Sequence, residues 1–187
     1  MSSTNRGGQR DEMDRYYTPG PLAAACVDLL PPLRGLHVVE PSVGGGAFAR
    51  ALAARGARVN GCDIDPDAAG RHDVSRFRLG SALNWPCPAA WYVGNPPYGD
   101  AQAHVEHALS HASIGVAFLL RLAFLESARR HPFWTDHPAS DVYVFSRRPS
   151  FTLDGRSDSC AYAWFVWLHG DRSMRLHVLP PDFGRAG

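Results

Sequence analysis

The sequence contains no lysine, so all 19 of its basic residues are arginine, and its formal net charge is +1. A nearly neutral chain has no general attraction for nucleic acid, so such a surface has to come from local clusters such as Arg129-Arg130 and Arg147-Arg148. Coding from a GC-rich genome explains the missing lysines at least as well as selection for phosphate-binding arginines does. The missing lysines therefore do not identify a partner.

Cysteine motifs and long apolar runs are also missing. Cys26, Cys62, Cys87 and Cys160 are far apart and form no CxxC pair, which indicates neither a zinc site nor a disulfide framework. No apolar run reaches the roughly 18–20 residues of a membrane span, and the N-terminus is polar rather than signal-like. We expect buried free thiols in a cytoplasmic protein without membrane contact.

A chain of 187 residues with 45% hydrophobic and 20% charged residues has the composition of one ordinary globular domain. We expect residues 1–13 to be disordered, because they are polar and rich in Gly and Ser. The predicted domain covers residues 14–179, and residues 180–187 are expected to form a loose tail.

Short apolar strands alternate with helical segments along most of the chain. This alternation predicts an α/β fold with a mostly parallel, seven-stranded sheet, one antiparallel edge strand and helices on both faces. The predicted strands are 36–41, 58–66, 76–81, 91–93, 114–120, 141–145 and 161–168, and the predicted helices are 22–30, 49–55, 101–111 and 122–131.

The segment Trp91–Tyr98 joins one of these strands to Asn95-Pro96-Pro97-Tyr98. An apolar run that stops at Gly and Pro predicts a buried strand ending at a site. Prolines have no N–H donor, so the loop offers carbonyl acceptors beside the Asn95 amide oxygen and the Tyr98 ring. These groups suit a planar amine such as that of adenine. When both N–H bonds of the amine donate hydrogen bonds to the loop, the lone pair of the nitrogen becomes localised on that atom. The alternative is a proline-terminated strand without chemistry.

A glycine-rich turn, Ser42–Phe48, connects the first predicted strand to a helix, as in a nucleotide-binding βαβ unit. Its glycines let the backbone approach a ligand, and the helix N-terminus offers unpaired N–H groups. Glu40 precedes the turn and suits a ligand with an ammonium group and hydroxyls rather than a phosphate. Asp63 is predicted to accept hydrogen bonds from ribose hydroxyls and Asp65 to cap the next segment. Alternatively, both acids merely end a strand.

Gly44, Asp63, Ser81 and Asn95 all fall at the carboxyl ends of predicted strands. Ligands of parallel α/β sheets bind beyond those ends, so the four residues predict one site.

Three histidines share one face of a predicted helix: His104, His107 and His111. Imidazoles at this spacing can hold a metal, but no acid partner is evident, and we favour a solvated helix face without a metal.

Four segments occur in a characteristic order: Tyr17-Thr18-Pro19, Glu40–Phe48, Asp63–Pro66 and Asn95–Tyr98. Together they resemble the class I S-adenosylmethionine-dependent methyltransferases, specifically the adenine-N6 DNA methyltransferases with an Asn-Pro-Pro-Tyr motif. The resemblance covers residues 17–168. The segments Arg148-Pro-Ser-Phe151 and Tyr162–Trp167 also resemble small phage- or prophage-type members.

The resemblance implies a Rossmann-like class I methyltransferase fold and S-adenosylmethionine as the cofactor, without a metal. It implies cofactor contacts for Tyr17, Thr18, Pro19, Glu40, Pro41, Gly44, Gly46, Phe48, Asp63, Ile64, Ser81 and Asn95. Asn95 and the Pro96 carbonyl would accept hydrogen bonds from the target amine, and Pro97 and Tyr98 would complete the catalytic loop. Tyr98, Arg148 and Phe151 would contact a flipped-out base or its strand.

Two departures from the family limit what the resemblance implies. The family often has an acid after the third strand, where Gly80-Ser81 stands here. No segment is large enough for a separate target-recognition domain, so sequence reading falls to residues 134–138 and 147–159 or to a protein partner. We therefore expect a DNA adenine-N6 methyltransferase of weak sequence specificity. The alternatives are an RNA adenine methyltransferase, a protein-glutamine methyltransferase and a non-catalytic binding subunit.

Overall fold

The structure is a computed structural model that describes residues 17–151 and 158–185. The predicted disordered residues 1–13 lie outside this part of the chain. Eight strands form one sheet: β1 His37–Glu40, β2 Arg58–Asp63, β3 Arg76–Leu79, β4 Ala89–Gly94, β5 Ala112–Arg121, β6 Asp141–Phe145, β7 Tyr162–Leu168 and β8 Arg175–Leu179.

The strand order is β3-β2-β1-β4-β5-β7-β6-β8. β7 runs antiparallel to both β5 and β6, whereas the other pairings are parallel. The predicted mostly parallel α/β sheet is confirmed. The sheet has eight strands instead of seven, and the antiparallel strand lies inside it rather than at the edge, because β6 and β8 continue the sheet beyond β7.

Helices cover both faces of the sheet, as predicted. The α-helices of the described residues are α1 Gly20–Asp28, α2 Ala47–Ala54, α3 Ala101–His111 and α4 His131–Asp136. Side chains of α1 and α2 pack in one apolar layer with Trp91 and Trp164, while α3 and α4 pack in the other with Tyr92 and Phe165. Both faces of the central strands are therefore buried, which accounts for their continuous apolar sequence.

The helix predicted over residues 122–131 was wrong. Two 3-10 turns, Leu122–Leu125 and Ala128–Arg130, precede α4, and Ser127 between them has a φ of 112°. A positive φ at a non-glycine residue ends a helical segment. Pro132 lies in the first turn of α4, a position that starts a helix.

β8 forms one edge of the sheet and pairs in parallel with β6. Arg175 donates from Nε and Nη2 to the two carboxylate oxygens of Asp141, each at 2.8 Å. His177 contacts Asp141 at 2.8 Å, and its ring stacks on Tyr143 with 4.4 Å between centroids. These polar contacts join the last strand to the sheet.

Residues 180–185, for which we expected a loose tail, pack against the domain. The Phe183 ring stacks on Phe145 with a centroid distance of 5.8 Å. Gly184 has a φ of 70°, and a Cβ built on it would lie 2.8 Å from Cα of Leu22. The segment is therefore held against α1 and the end of β6.

The carboxyl ends of β1, β2, β3, β4, β5, β6 and β8 meet at one rim of the sheet. This is the edge at which parallel α/β sheets bind ligands. In the described ranges the longest helix, α3, has only 11 residues, and no helix there could cross a membrane.

Candidate active site

Two adjoining cavities open at this rim. The main cavity has a volume of about 220 Å³ and the inner recess about 30 Å³, and they share Ser42, Gly44 and Asn95. The main cavity is lined by Tyr17, Pro41, Ser42, Gly44, Asp63, Ile64, Asp65, Gly80, Ser81, Ala82, Leu83, Asn95, Pro96, Pro97, Tyr98, Asp100 and His104. The inner recess is lined by Thr18, Glu40, Ser42, Val43, Gly44, Gly45, Ala47, Phe48 and Asn95.

Asn95 lies at the junction of the two cavities, directly after β4. Its Nδ2 donates a hydrogen bond of 3.2 Å to Oγ1 of Thr18. Its Oδ1 is buried and has no hydrogen-bond partner in the described part of the chain. Leaving a buried acceptor without a donor costs about 1–3 kcal/mol, so the oxygen is available for a ligand that donates an N–H.

A threonine directly before a helical segment is a typical N-cap, but the Thr18 side chain does not cap α1. The N-cap residue is Pro19, and no side-chain hydrogen bond caps the helix. The Thr18 hydroxyl instead accepts from Asn95. The residues before α1 therefore reach the end of β4 and help to orient its amide.

Glu40, the last residue of β1, is 1% exposed and lines the inner recess. Burial raises the pKa of its carboxyl well above the ordinary value, and a backbone hydrogen bond to Ala49 acts in the opposite direction. Its Oε2 has no hydrogen-bond partner within the described ranges. A buried carboxyl with an unused oxygen suits a ligand that brings its own positive charge.

The glycine turn is held between two neighbours. The N–H of Gly44, whose φ is 45°, donates to Oδ2 of Asp63 at 2.8 Å. The ring of Tyr17 lies over Gly45, since a Cβ built on that glycine would be 2.8 Å from Cδ1 of the tyrosine. A side chain at position 45 would therefore displace the Tyr17 ring from this position.

Asp63 lines the main cavity and also organises the loops around it. Its Oδ1 accepts from the N–H of Asp65 at 2.9 Å, in addition to the Gly44 contact at Oδ2. Each carboxylate oxygen has a second lone pair, so Asp63 can also accept from a ligand hydroxyl. Asp65 accepts from the N–H of Asp67 at 3.0 Å, in keeping with the capping role expected for it.

Apolar groups line the main cavity beside Asp63. Ile64 is 57% exposed and lies there with Ala82 and Leu83, while Oγ of Ser81 accepts from the N–H of Leu83 at 3.2 Å. An exposed isoleucine next to buried alanine offers a surface for a flat ring.

The prediction of a solvated face for the histidines was wrong for His104. It is 6% exposed and lines the main cavity, and burial lowers its pKa to about 4. His107 contacts the Trp85 carbonyl at 3.2 Å and stacks on His111. Among the described residues, no group of three or more His, Cys, Asp or Glu is placed to hold a metal ion.

Tyr98 lines the main cavity and belongs to an aromatic cluster. The Arg121 guanidinium lies 4.9 Å from the centroid of its ring, and the Tyr162 ring lies 5.5 Å away. The Tyr162 hydroxyl donates to Oδ2 of Asp158 at 2.8 Å. The cluster therefore holds Tyr98 beside the cavity through residues from β5 and β7.

Four of the predicted contact residues lie outside the two cavities. Gly46 packs against Gly70, whose Cα would be 2.8 Å from an added Cβ. Phe151 is 6% exposed and meets Tyr162 edge-on at 4.9 Å. Pro19 and Arg148 line a separate cavity of about 250 Å³, here called the arginine groove, which also includes Phe145, Arg147, Phe183 and Arg185.

Phe48, a predicted cofactor contact, reaches the inner recess but is buried and stacked on Trp164 with a centroid distance of 5.3 Å. His104 and Arg121 were missed as residues of the site. The only sequence signal for His104 was its place in the first turn of the helix after Asn95-Pro96-Pro97-Tyr98. Arg121 had the equivalent signal of a charge directly after an apolar strand.

Comparison with solved structures identifies the fold. A candidate class I S-adenosylmethionine-dependent methyltransferase from Listeria monocytogenes is 11% identical, with a TM-score of 0.67 over 89% of this chain and 68% of that one. A candidate RNA methyltransferase from Pyrococcus horikoshii is 16% identical, with a TM-score of 0.63 over 82% of this chain and 86% of that one.

The M protein of the type I restriction enzyme EcoKI is 15% identical, with a TM-score of 0.70 over 90% of this chain. This chain spans 49% of that protein. No protein-family model and no curated protein matches the sequence. At these identities the comparisons show the fold alone, and that fold is the Rossmann-like fold of class I methyltransferases.

Proposed function

We propose that the protein transfers a methyl group from S-adenosylmethionine to the exocyclic N6 amine of adenine in DNA. The observation that carries the proposal is the buried Oδ1 of Asn95, which has no hydrogen-bond partner in the described part of the chain and lies where the two cavities meet. An acceptor in this position is suited to the amine of a base.

The residues around the two cavities fit the proposed cofactor. Glu40, with its unused buried oxygen, would accept from the ammonium group of the methionine part, beside the Gly44 turn. Asp63 would accept from the ribose hydroxyls, and Ile64 would pack on the adenine ring. His104, kept neutral by burial, lines the same cavity. When bound, S-adenosylmethionine supplies a methyl group activated by its sulfonium, so the protein has mainly to orient the reactants.

The target amine would be held by Asn95 and Pro96. The Asn95 oxygen and the Pro96 carbonyl would each accept one N–H of the amine, which localises the nitrogen lone pair for attack. Tyr98 would stack on the base, with Arg121 holding its ring in position. Adenine inside a duplex cannot reach this cavity, so the base would be flipped out at a cost of a few kcal/mol.

RNA is the second candidate substrate. One structural neighbour from Pyrococcus horikoshii is named as a candidate RNA methyltransferase, whereas the EcoKI M protein belongs to a restriction enzyme. Both have the fold of this chain. The Asn95 loop accepts an adenine amine in the same way whichever sugar carries the base. We favour DNA because the order of the four motifs resembles that of DNA adenine methyltransferases.

Incubation with tritiated S-adenosylmethionine and separate pools of DNA, RNA and protein tests the proposal. We expect label in DNA, recovered as N6-methyldeoxyadenosine after digestion to nucleosides, and a rate of labelling about 10²–10³-fold lower with Asn95→Ala. Label only in RNA would show that the substrate is RNA rather than DNA. Label only in protein glutamine would show that the protein is a protein-glutamine methyltransferase. Cofactor binding without transfer to any pool would favour a non-catalytic subunit that acts together with a protein partner.

A further inference from the structure

We infer that the arginine groove binds the phosphate backbone of the nucleic acid whose base enters the main cavity. The inference rests on the proposed function and adds a second contact surface to it. The groove has a volume of about 250 Å³ and is lined by residues that follow β6 and β8, together with the start of α1. From the sequence, Arg148 was predicted to contact the substrate and residues 147–159 to take part in sequence reading, whereas the C-terminal segment had no predicted role.

The topology puts the groove on the same rim as Asn95. β6 and β8 run parallel to each other, and β6 runs in the direction of β5 because both pair antiparallel with β7. The residues after β6 and after β8 therefore leave the sheet at the rim where β4 ends. The stacking of Phe183 on Phe145 holds the C-terminal segment there as one wall of the groove.

The groove lies close to the Asn95 amide, because two consecutive residues connect them. Pro19 lines the groove, and the preceding residue, Thr18, accepts the hydrogen bond from Asn95. Adjacent Cα atoms are about 3.8 Å apart, and bases in one strand rise by about 3.4 Å each. A strand that delivers one base to Asn95 therefore has nearby phosphates within reach of the groove.

The charge of the groove is suited to phosphate. Arg147, Arg148 and Arg185 line it with exposed side chains, and no acidic residue of the described chain lines it. In the described ranges none of the three forms an ion pair, whereas Arg50, Arg55 and Arg175 each pair with an aspartate. Asp182, the nearest acid along the segment, does not line the groove.

Three arginines in one groove are a strong local feature on a chain of net charge +1. One guanidinium group can donate two parallel N–H hydrogen bonds to two oxygens of a phosphate, which the ammonium group of a lysine cannot do. The prolines and Phe183 add apolar surface on which a sugar or an unpaired base can lie.

The experiment compares two double variants of equal charge change. Arg147→Gln with Arg148→Gln removes two charges from the groove. Arg34→Gln with Arg58→Gln removes two exposed charges, one before β1 and one at the start of β2, at the opposite rim. Binding of fluorescein-labelled single-stranded DNA, duplex DNA and RNA, each about 20 nucleotides long, is measured by anisotropy between about 50 and 200 mM NaCl. The affinity for S-adenosylhomocysteine is measured in parallel.

We expect the groove variant to bind labelled DNA at least about tenfold more weakly at about 50 mM NaCl. We also expect the slope of log K against log[NaCl] to be reduced by about 0.7–0.9 for each phosphate that the variant no longer neutralises. The control variant should match the wild type, and both should bind S-adenosylhomocysteine normally. Arg185→Gln alone should reduce the slope by a smaller amount in the same direction.

An unchanged slope and affinity in the groove variant, with DNA still methylated by the wild type, overturns the inference and leaves the proposed function standing. Absence of binding to any labelled nucleic acid by the wild type overturns the inference as well. Failure of the proposed function shows differently, as an absence of label in DNA in the transfer assay. A fall in affinity that is equal in the groove and control variants reflects net charge alone and also counts against the groove.

Discussion

The amide nitrogen of Asn95 donates to the hydroxyl of Thr18 across 3.2 Å, although the two residues are 77 positions apart in the chain. One residue follows a central strand and the other precedes the first helix. The contact engages the nitrogen of the amide and so directs the oxygen to a ligand. The segment before α1 thereby fixes which atom of the Asn95 amide faces the cavities.

Replacing Thr18 by valine should lower the rate of methyl transfer about 2–10-fold with little change in cofactor affinity. The variant removes one hydrogen bond, with a net value of about 0.5–1.5 kcal/mol, and lets the Asn95 amide rotate. Thr18→Ser keeps the hydroxyl and should retain most of the rate. Single-turnover kinetics with saturating cofactor measure the effect, and equal rates for the two variants would show that the contact does not orient the amide.

Asn95→Ala should reduce kcat by about 10²–10³-fold, as the loss of one preorganised polar contact to the reacting group does in other enzymes. The affinity for S-adenosylhomocysteine, measured by calorimetry, should stay within a few-fold of wild type. Asn84→Ala, at an exposed asparagine outside both cavities, is the matched control. Near-normal turnover by Asn95→Ala would remove the accepting role that we give to this residue.

Asp63→Ala should raise the dissociation constant of the cofactor about 10–100-fold, because hydrogen bonds to a charged group contribute about 1.5–3 kcal/mol. The variant should also melt at a lower temperature, since Asp63 accepts from the backbone N–H groups of Gly44 and Asp65. Asp67→Ala, at an exposed acid outside the cavities, should change neither quantity. A normal dissociation constant together with a lower melting temperature would make Asp63 a structural residue only.

The parts of the site carried by backbone topology could be predicted from sequence. The apolar strands are separated by helical segments, so Gly44, Asp63, Ser81 and Asn95 had to meet at one rim, and all four line the main cavity. α3 was predicted with both of its ends correct, since the loop Asn95–Tyr98 and the following Gly99 exclude an earlier start.

Tertiary packing decided what the sequence pattern did not. His104 looks like a polar position on a surface helix, yet it is buried and lines the main cavity together with Ala82 and Leu83 of the 3-10 turn that packs against α3. β8 was not predicted, because its pairing with β6 and the contacts of Arg175 and His177 with Asp141 join segments more than thirty residues apart. Phe151 follows a polar stretch but is buried in the core, where its ring packs edge-on against the Tyr162 ring.

The stability of the protein should fall between about pH 6.5 and pH 4 because of His104. Burial, partly offset by Asp100 and reinforced by His107, lowers its pKa to about 4. An unfolded histidine has a pKa of about 6.5, so in this window the unfolded chain binds more protons, and the free energy of unfolding falls by up to ~1.4 kcal/mol per pH unit.

His104→Gln should flatten this part of the profile, since glutamine does not titrate. Urea denaturation between about pH 7.5 and pH 4.2 measures it. His111→Gln, on the same helix but outside the cavities, is the control and should keep the wild-type slope. If the two variants gave equal slopes, the buried imidazole would not be the source of the pH dependence.

Asp141→Asn should weaken the attachment of β8 and lower the melting temperature by about 4–8 °C at about pH 7, the equivalent of about 2 kcal/mol in a protein of this size. Its side chain is 10% exposed, and hydrogen bonds from Arg175, followed by those from His177, hold its pKa below the ordinary value. A carboxyl with a lowered pKa stabilises the fold above its unfolded pKa of about 3.9, and this contribution is lost as the pH falls through the folded value. The difference between wild type and variant should therefore shrink below about pH 3.9.

Asp28→Asn is the control, because Asp28 is 68% exposed in its pair with Arg55 and should change the stability by only about 0–1 kcal/mol. Equal melting temperatures for the two variants would show that the Asp141 contacts with β8 add no more than a surface ion pair.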